Sequence, residues 1–182
     1  MRNDGFQSDR SLVQRAQVDK AAFAQLYRNH VTSVYRFLYA RVGNPDDAQD
    51  LTSQTFMGAM EKLSTFRNDS SFRTWLLGIA RNKALHHLRQ TRRTAPLESL
   101  EQLPAQSEPI ADTVSNQLHV EQVLSQLRIL SADRAEAILL RFFGELSMAE
   151  IAQIMGKSEA SVKMLVHRGL KDLHARREEY QT

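Results

Sequence analysis

Residues 146–170, LSMAEIAQIMGKSEASVKMLVHRGL, read as two helical patterns joined at a single glycine. Ser147 opens MAEIAQIM and Ser158 opens EASVKMLVHRGLKDL. Gly156 follows the first apolar helix directly, where a sharp turn requires the left-handed backbone region that glycine enters at little cost. Ala152, four residues earlier, is small enough to let two helices approach, and Ile151, Ile154, Val162 and Leu165 would fill their junction. The spacing Ala152, Gly156, Val162, Leu165 is that of a helix-turn-helix, whose second helix enters the DNA major groove, and equally that of an ordinary helical hairpin. Outward positions Ser158, Glu159, Ser161, Lys163, Met164, His167, Arg168 and Lys171 can supply phosphate donors and a few base contacts. Lys163, Arg168 and Lys171 are the firm cations among them, so this surface alone should hold DNA weakly.

Working toward the N-terminus, SADRAEAILLRFF (131–143) gives a helix with Ser131 as its expected cap and Gly144 as its end, and QLHVEQVLSQL (117–127) gives another. Residues 95–117 hold Pro96, Pro104 and Pro109 with the acids Glu98, Glu101, Glu108 and Asp112 and no base. Prolines there remove backbone donors and bias their predecessors away from helix, so the stretch reads as an acidic tether.

Before the tether lies a second helical lobe. Phe23, Leu26, Tyr27, Val31, Val34, Tyr35, Leu38 and Val42 recur at three and four, an amphipathic helix with an aromatic-rich buried face. Gly43 ends it, Asn44 caps the next helix, Pro45 takes its first position, and Asp46 and Asp47 favour its positive dipole end. That helix is expected to run to about Leu63, and the loop RNDSS (67–71) precedes a third helix beginning at Ser70 or Ser71. From Phe72 to Arg93 the bases Arg73, Arg81, Lys83, Arg89, Arg92 and Arg93 occur without an acid. At 100° per residue, Trp75, Asn82, His86, Arg89 and Arg93 fall within an arc of about 60°, while Phe72, Leu76, Ile79 and Ala80 lie on another side. An aromatic beside a row of cations suits unpaired DNA, whose bases offer faces for stacking while its phosphates need neutralising. Trp75 taken alone reads more readily as a core residue than as a platform for bases.

The fold class is therefore all-α: two small helical domains joined by a flexible acidic linker, the C-terminal one with a helix-turn-helix. The expected organisation is an N-terminal extension (1–20), a first domain (21–94), the linker (95–117), a second domain (118–177) and a tail (178–182). Seven glycines in 182 residues and few β-branched alternations give no convincing strand. An apolar content of 42% can build packed cores, and the net charge of +3 matters less than its segregation along the chain. The absence of cysteine excludes a disulfide framework, thiolate metal sites and a cysteine nucleophile. Arg2, Asp4, Asp9, Arg10, Arg15 and Asp19 interrupt any signal-peptide core, and no apolar run approaches membrane-spanning length, so a cytoplasmic protein is expected. No catalytic constellation emerges: His86 and His87 point about 100° apart on a helix, and there is no HExxH, so neither enzyme activity nor a metal or cofactor is expected.

Taken in order, FAQLYRNHVTSVYRFLYARVGNPDDAQDLTSQTF, FRTWLLGIARNKALHHLR and LLRFFGELSMAEIAQIMGKSEASVKMLVHRGL resemble the extracytoplasmic-function (ECF) sigma factors of bacterial RNA polymerase, from about Phe23 to about Leu173. The resemblance implies a factor that binds core polymerase, recognises and melts the promoter −10 element and reads the −35 element. It implies that Asp47, Asp50, Leu51, Gln54 and Phe56 meet the clamp helices of the largest polymerase subunit, with a further contact at the flap region. It implies that Arg67, Asn68, Asp69, Ser70, Ser71, Arg73, Trp75, Arg81, Asn82, His86, Arg89 and Arg93 engage −10 DNA, the loop 67–71 pocketing a flipped base. The eight outward residues from Ser158 to Lys171 would read the −35 duplex, and the acidic tether would lie in the polymerase's nucleic-acid channel. The resemblance further implies an anti-sigma partner. With Thr182 last, no built-in C-terminal regulator is expected. The family commonly has Asp where this chain has His86, making this helix more basic, and often Arg where it has Leu165, a residue better suited to packing. The alternative reading is a conventional helix-turn-helix regulator that acts without replacing a sigma subunit.

Overall fold

The computed structural model describes residues 4–94, 126–127 and 129–179, and within them the side chains of 9–91, 126–127 and 129–176. The expected tether and most of the helix expected at 117–127 lie outside the described residues. The front lobe is built from α1 (Asp4–Ala16), α2 (Lys20–Val42), α3 (Pro45–Lys62), one 3-10 turn (Leu63–Thr65) and α4 (Phe72–Thr94). The rear lobe has α5 (Ala132–Phe142), α6 (Met148–Met155) and α7 (Glu159–Glu179). Among the described residues there is no strand.

Local signals are realised where short-range hydrogen bonds enforce them. The Asn44 side chain accepts from the backbone N–H groups of Asp46 and Asp47, satisfying donors that the first turn of α3 leaves unpaired. Gly43 takes φ 76 and Gly156 φ 64, both left-handed, so the chain reverses after α2 and after α6. Ser147 and Glu150 form a reciprocal capping box at the start of α6. Ser131 stands at the expected cap position of α5, but its side chain makes no capping hydrogen bond.

Residues 4–16, expected to lie in a featureless extension, instead form α1 and belong to the front lobe. Leu12 and Val13 are buried, and the helix packs on α2 and α4. Asp9, on the same helix, meets the buried His30 of α2 at 2.8 Å. Of the charges that exclude a signal peptide, Arg10 and Arg15 sit exposed on this helix, Asp9 is in a specific pair, and Asp19 caps α2 by accepting from the Ala21 N–H.

α2 is the hub, in contact with α1, α3, α4 and α5, and its Leu26, Val34, Phe37 and Leu38 are fully buried. In the rear lobe α5 packs along α7 so closely that a Cβ at Gly169 would stand 2.7 Å from Ile138 Cδ1. Gly169→Leu is therefore expected to destabilise the chain by about 1–3 kcal/mol through overpacking. Urea denaturation reads this as a lowered midpoint at unchanged slope, and an unaltered midpoint would show that the α5–α7 contact yields freely.

The lobes do not stand apart. One continuous apolar cluster includes Leu26, Phe37 and Leu77 from the front and Ile138, Leu140 and Leu146 from the rear. Glu136 of α5, only 4% exposed, lies between Arg41 of α2 and Arg81 of α4, at 3.0 Å from each.

Candidate nucleic-acid interface

Phe66 enters the 3-10-to-α4 loop buried, with ring centroids 6.1 Å from Phe72 and 5.0 Å from Trp75. Trp75 is half-buried in this trio, so its indole chiefly holds the loop in place. Arg67 and Asp69 project into solvent, while Asn68, in the left-handed region at φ 59, and Ser70 and Ser71 are half-buried. The cleft between this loop and α1, lined by Asp9, Arg10 and Val13 opposite Asn68 and Ser70, has a volume of about 10 Å³. That is the room of roughly one water, so a nucleobase enters only if the loop moves away from α1. Ser71 begins α4, its hydroxyl accepting from the Thr74 N–H at 3.0 Å.

Along α4, Asn82, His86 and Arg89 are exposed on one face, as the 3.6-residue period requires, and Arg81 is half-buried beside it. The Arg93 side chain lies outside the described residues. Two bases of the acid-free run, Arg73 and Arg81, are met by acids through space. Arg73 donates to Glu145 at 2.9 Å and Arg81 to Glu136 at 3.0 Å, both from the rear lobe. Ser71 and Thr74 donate to Glu150 Oε1 at 3.1 and 2.6 Å. Burial alone would push the Glu150 carboxyl up, yet the hydrogen bonds from Thr74, Ser147 and Ser71 outweigh it and hold its pKa below the usual glutamate value. His87 turns the other way, to Asp47 at 3.3 Å, so the adjacent histidines do not converge. Among the described residues no group of three or more His, Asp or Glu side chains is arranged to hold a metal ion.

In the rear lobe all eight outward residues expected at the duplex, Ser158, Glu159, Ser161, Lys163, Met164, His167, Arg168 and Lys171, are exposed. Val162 and Val166 are buried, and Leu165 packs half-buried against the core, as an apolar side chain at that position should. An open groove of about 670 Å³ runs between the start of α5 and α7, with Arg134, Lys157, Ser161 and Arg168 among its lining residues. Two of its cations are already engaged, Lys157 with Asp133 at 3.0 Å and Arg134 with Asp172, and outside the groove Lys163 pairs with Glu159 one turn away at 2.9 Å. The free positive charge of this face is small.

The expected polymerase-docking face on α3 needs correction at two positions. Asp50 and Gln54 are exposed and Asp47 is partly so, but Leu51 and Phe56 are each only 4% exposed. Phe56 is turned inward onto Tyr27, with ring centroids 4.6 Å apart, because burying its ring in the α2–α3 seam removes more apolar surface from water than a solvent-facing rotamer would. These two side chains support the face from behind. The apolar residues that α3 does present are Met57 and Met60, 60% and 55% exposed. Sequence reasoning missed them, although Asp50, Gln54 and Met57 share one stripe at helical spacing.

Residues 26–94 match the family described as Sigma-70 region 2, and residues 120–173 match that described as Sigma-70, region 4. The chain is 37% identical over 166 residues to the ECF RNA polymerase sigma factor BldN of Streptomyces coelicolor, covering 89% of this chain and 63% of that protein's length. It is 31% identical to the RNA polymerase sigma factor YlaC of Bacillus subtilis, covering 81% of this chain and 87% of that protein. To the ECF RNA polymerase sigma factor SigX of Bacillus subtilis it is likewise 31% identical, over 83% and 81% of the two lengths. Among solved structures it superposes on CnrH in complex with the cytosolic domain of CnrY, with TM-score 0.74, 25% identity and coverage of 94% and 97%. It also superposes on RpoE of Bartonella quintana in complex with the anti-sigma factor NepR, with TM-score 0.69, 26% identity and coverage of 84% and 94%.

Proposed function

Because this chain belongs to the ECF sigma factors of bacterial RNA polymerase, we propose that it binds core polymerase and directs promoter-specific initiation, the front lobe opening the −10 element and the rear lobe reading −35 duplex. The observation that carries this reading is the order of the two family segments on one chain, residues 26–94 followed by residues 120–173. A conventional helix-turn-helix regulator would account for the second segment and leave the first without a role.

The division of labour follows from charge. The rear face keeps few unpaired cations, so α7 grips duplex DNA weakly when free. Docking both lobes on core polymerase makes the second DNA contact intramolecular, and two weak grips then act as a strong one. Asp47, Asp50 and Gln54, flanked by Met57 and Met60, form the docking face for the clamp helices, and the rear lobe meets the flap region. On the DNA side, the loop 67–71 and the α4 residues Asn82, His86 and Arg89 offer amide, imidazole and guanidinium groups to unpaired bases and phosphates. The factor positions and melts DNA, and the chemistry of RNA synthesis belongs to core. The tether, at about 3.3 Å per extended residue, easily spans the distance between the two promoter elements. The cytoplasm is where such a factor meets polymerase, and no helix among the described residues is long and apolar enough to cross a membrane. The solved relatives are bound by CnrY and NepR, and an anti-sigma protein is a partner for this chain as well.

Co-purification with core polymerase and reconstituted transcription on genomic fragments test this function. Failure to associate with core would remove it and leave the conventional regulator. Asp50→Arg is expected to weaken core association about tenfold, since reversing an exposed charge at an interface replaces attraction by repulsion. Unchanged affinity in a core titration would take Asp50 out of the docking face.

A further inference from the structure

We propose that Arg10 of α1 reads the base taken in beside the loop 67–71, its guanidinium fork selecting guanine or cytosine at that one position of the unpaired strand. This inference rests on the function proposed above and adds to it a specificity residue from a segment that precedes both matched regions.

The cleft beside the loop has two unlike walls. Asn68, Ser70 and Ser71 stand on one side, and Asp9, Arg10 and Val13 of α1 on the other. The loop wall is the one free to move. Residues 67–70 neither donate nor accept a backbone–backbone hydrogen bond among the described residues, and Asn68 holds the left-handed region at φ 59, which is uncommon away from glycine. Buried Phe66 and Phe72 hold its two ends, so the segment between them swings without unseating the lobe. The α1 wall is fixed. Leu12 and Val13 are buried, and the Asp9 carboxylate meets Nε2 of the buried His30 at 2.8 Å. The His30 ring in turn lies 5.4 Å from that of Phe72, so one imidazole locates both the end of the loop and the carboxylate at the cleft. Asp9 and His30 are thus positioning residues, which set where Arg10 stands when the loop opens.

Arg10 is exposed, lines the cleft and makes no ion pair with another described residue, so its donors are uncommitted. A guanidinium offers parallel donors and no acceptor, and it discriminates where a base presents two adjacent acceptors. Guanine does so with N7 and O6, and cytosine with N3 and O2. Adenine sets its amino group beside N1 and N7, and thymine sets N3–H between its two oxygens, so neither matches the fork. Once a base has left the stack, all of these edges are within reach.

The test measures the affinity of the full chain, alone and with core polymerase, for single strands of about 16 nucleotides in which each position in turn carries A, C, G or T. The unsubstituted chain is expected to prefer guanine or cytosine at one position by about tenfold. Arg10→Ala is expected to bring that preference below about twofold and to leave the other positions as they were. Arg10→Lys keeps the charge without the fork and is expected to behave as Arg10→Ala does. Asp9→Ala is expected to weaken the same preference and to add little to Arg10→Ala, because both act through one contact. Arg10 is exposed, so its variants decide the matter whether or not Asp9→Ala folds. A uniform loss over all strands that Arg10→Lys restores would make Arg10 a phosphate contact and overturn the proposal. An unchanged preference in Arg10→Ala overturns it too, as does the absence of any base preference with and without core. Because the chain alone is also measured, failure to associate with core removes the sigma function while the Arg10 comparison still decides this inference.

Discussion

Phe37→Ala is expected to remove about 3–5 kcal/mol of stability, a large part of what a domain of this size has. Phe37 is fully buried in α2, the helix that touches α1, α3, α4 and α5, so the cavity it leaves opens at the centre of the front lobe. The neighbours that could collapse into the space are held by their own contacts: Leu38 and Val34 are fully buried on the same helix, and Leu76 and Leu77 are fully buried on α4. Chemical denaturation, followed by helix signal and fitted with a constant slope, measures the loss. A change under about 1 kcal/mol would mean that the site repacks and that α2 is not the hub. Tyr35, half-buried and stacked on Tyr39 at 6.0 Å, is the control: its truncation removes a peripheral contact and is expected to cost much less.

Arg89→Glu is expected to slow open-complex formation by about 10- to 100-fold, a change of about 1.4–2.8 kcal/mol, while leaving core affinity nearly unaltered. Arg89 is exposed on the α4 face that also carries Asn82 and His86, it makes no ion pair with another described residue, and it lies on a different helix from the α3 docking residues. Reversing its charge removes one phosphate contact and adds a repulsion at the same place. The salt dependence of promoter binding should then become shallower by about one to two units in the log–log slope. Permanganate reactivity of unpaired thymines reports opening, and a separate titration reports core binding. If both fell equally, Arg89 would act through the fold of the lobe and its place in DNA opening would be lost.

Much of the fold was legible because the deciding interactions are short in sequence. The Asn44 cap, the left-handed Gly43 and Gly156, and the Ser147–Glu150 box each close within a turn or so of helix, so the residues involved are neighbours on the page. The outward set on α7 was equally readable, since a helix with Val162 and Val166 inside must turn Ser161, Lys163 and Arg168 out. α1 escaped because Leu12 and Val13, the buried residues among its described side chains, are adjacent in sequence and establish no period among so many charges. On α3 apolar residues occur on more than one face, and periodicity does not say which stripe finds a partner. Phe56 went in against Tyr27 and Met57 stayed out only once α2 had been placed.

The amino-acid sequence by itself determined the helices, their caps, the helix-turn-helix and the segregation of charge, because backbone hydrogen bonds and apolar periodicity act over a few residues. Only the tertiary structure decided that an acid in SADRAEAILL is buried between two arginines, one of them 55 residues away, and that Arg73 and Arg81 of α4 are met by rear-lobe acids. A carboxylate carries no local mark of whether it will meet water or a guanidinium. Its burial becomes tolerable only when the opposite charge is delivered by a distant segment, and that delivery is a property of packing.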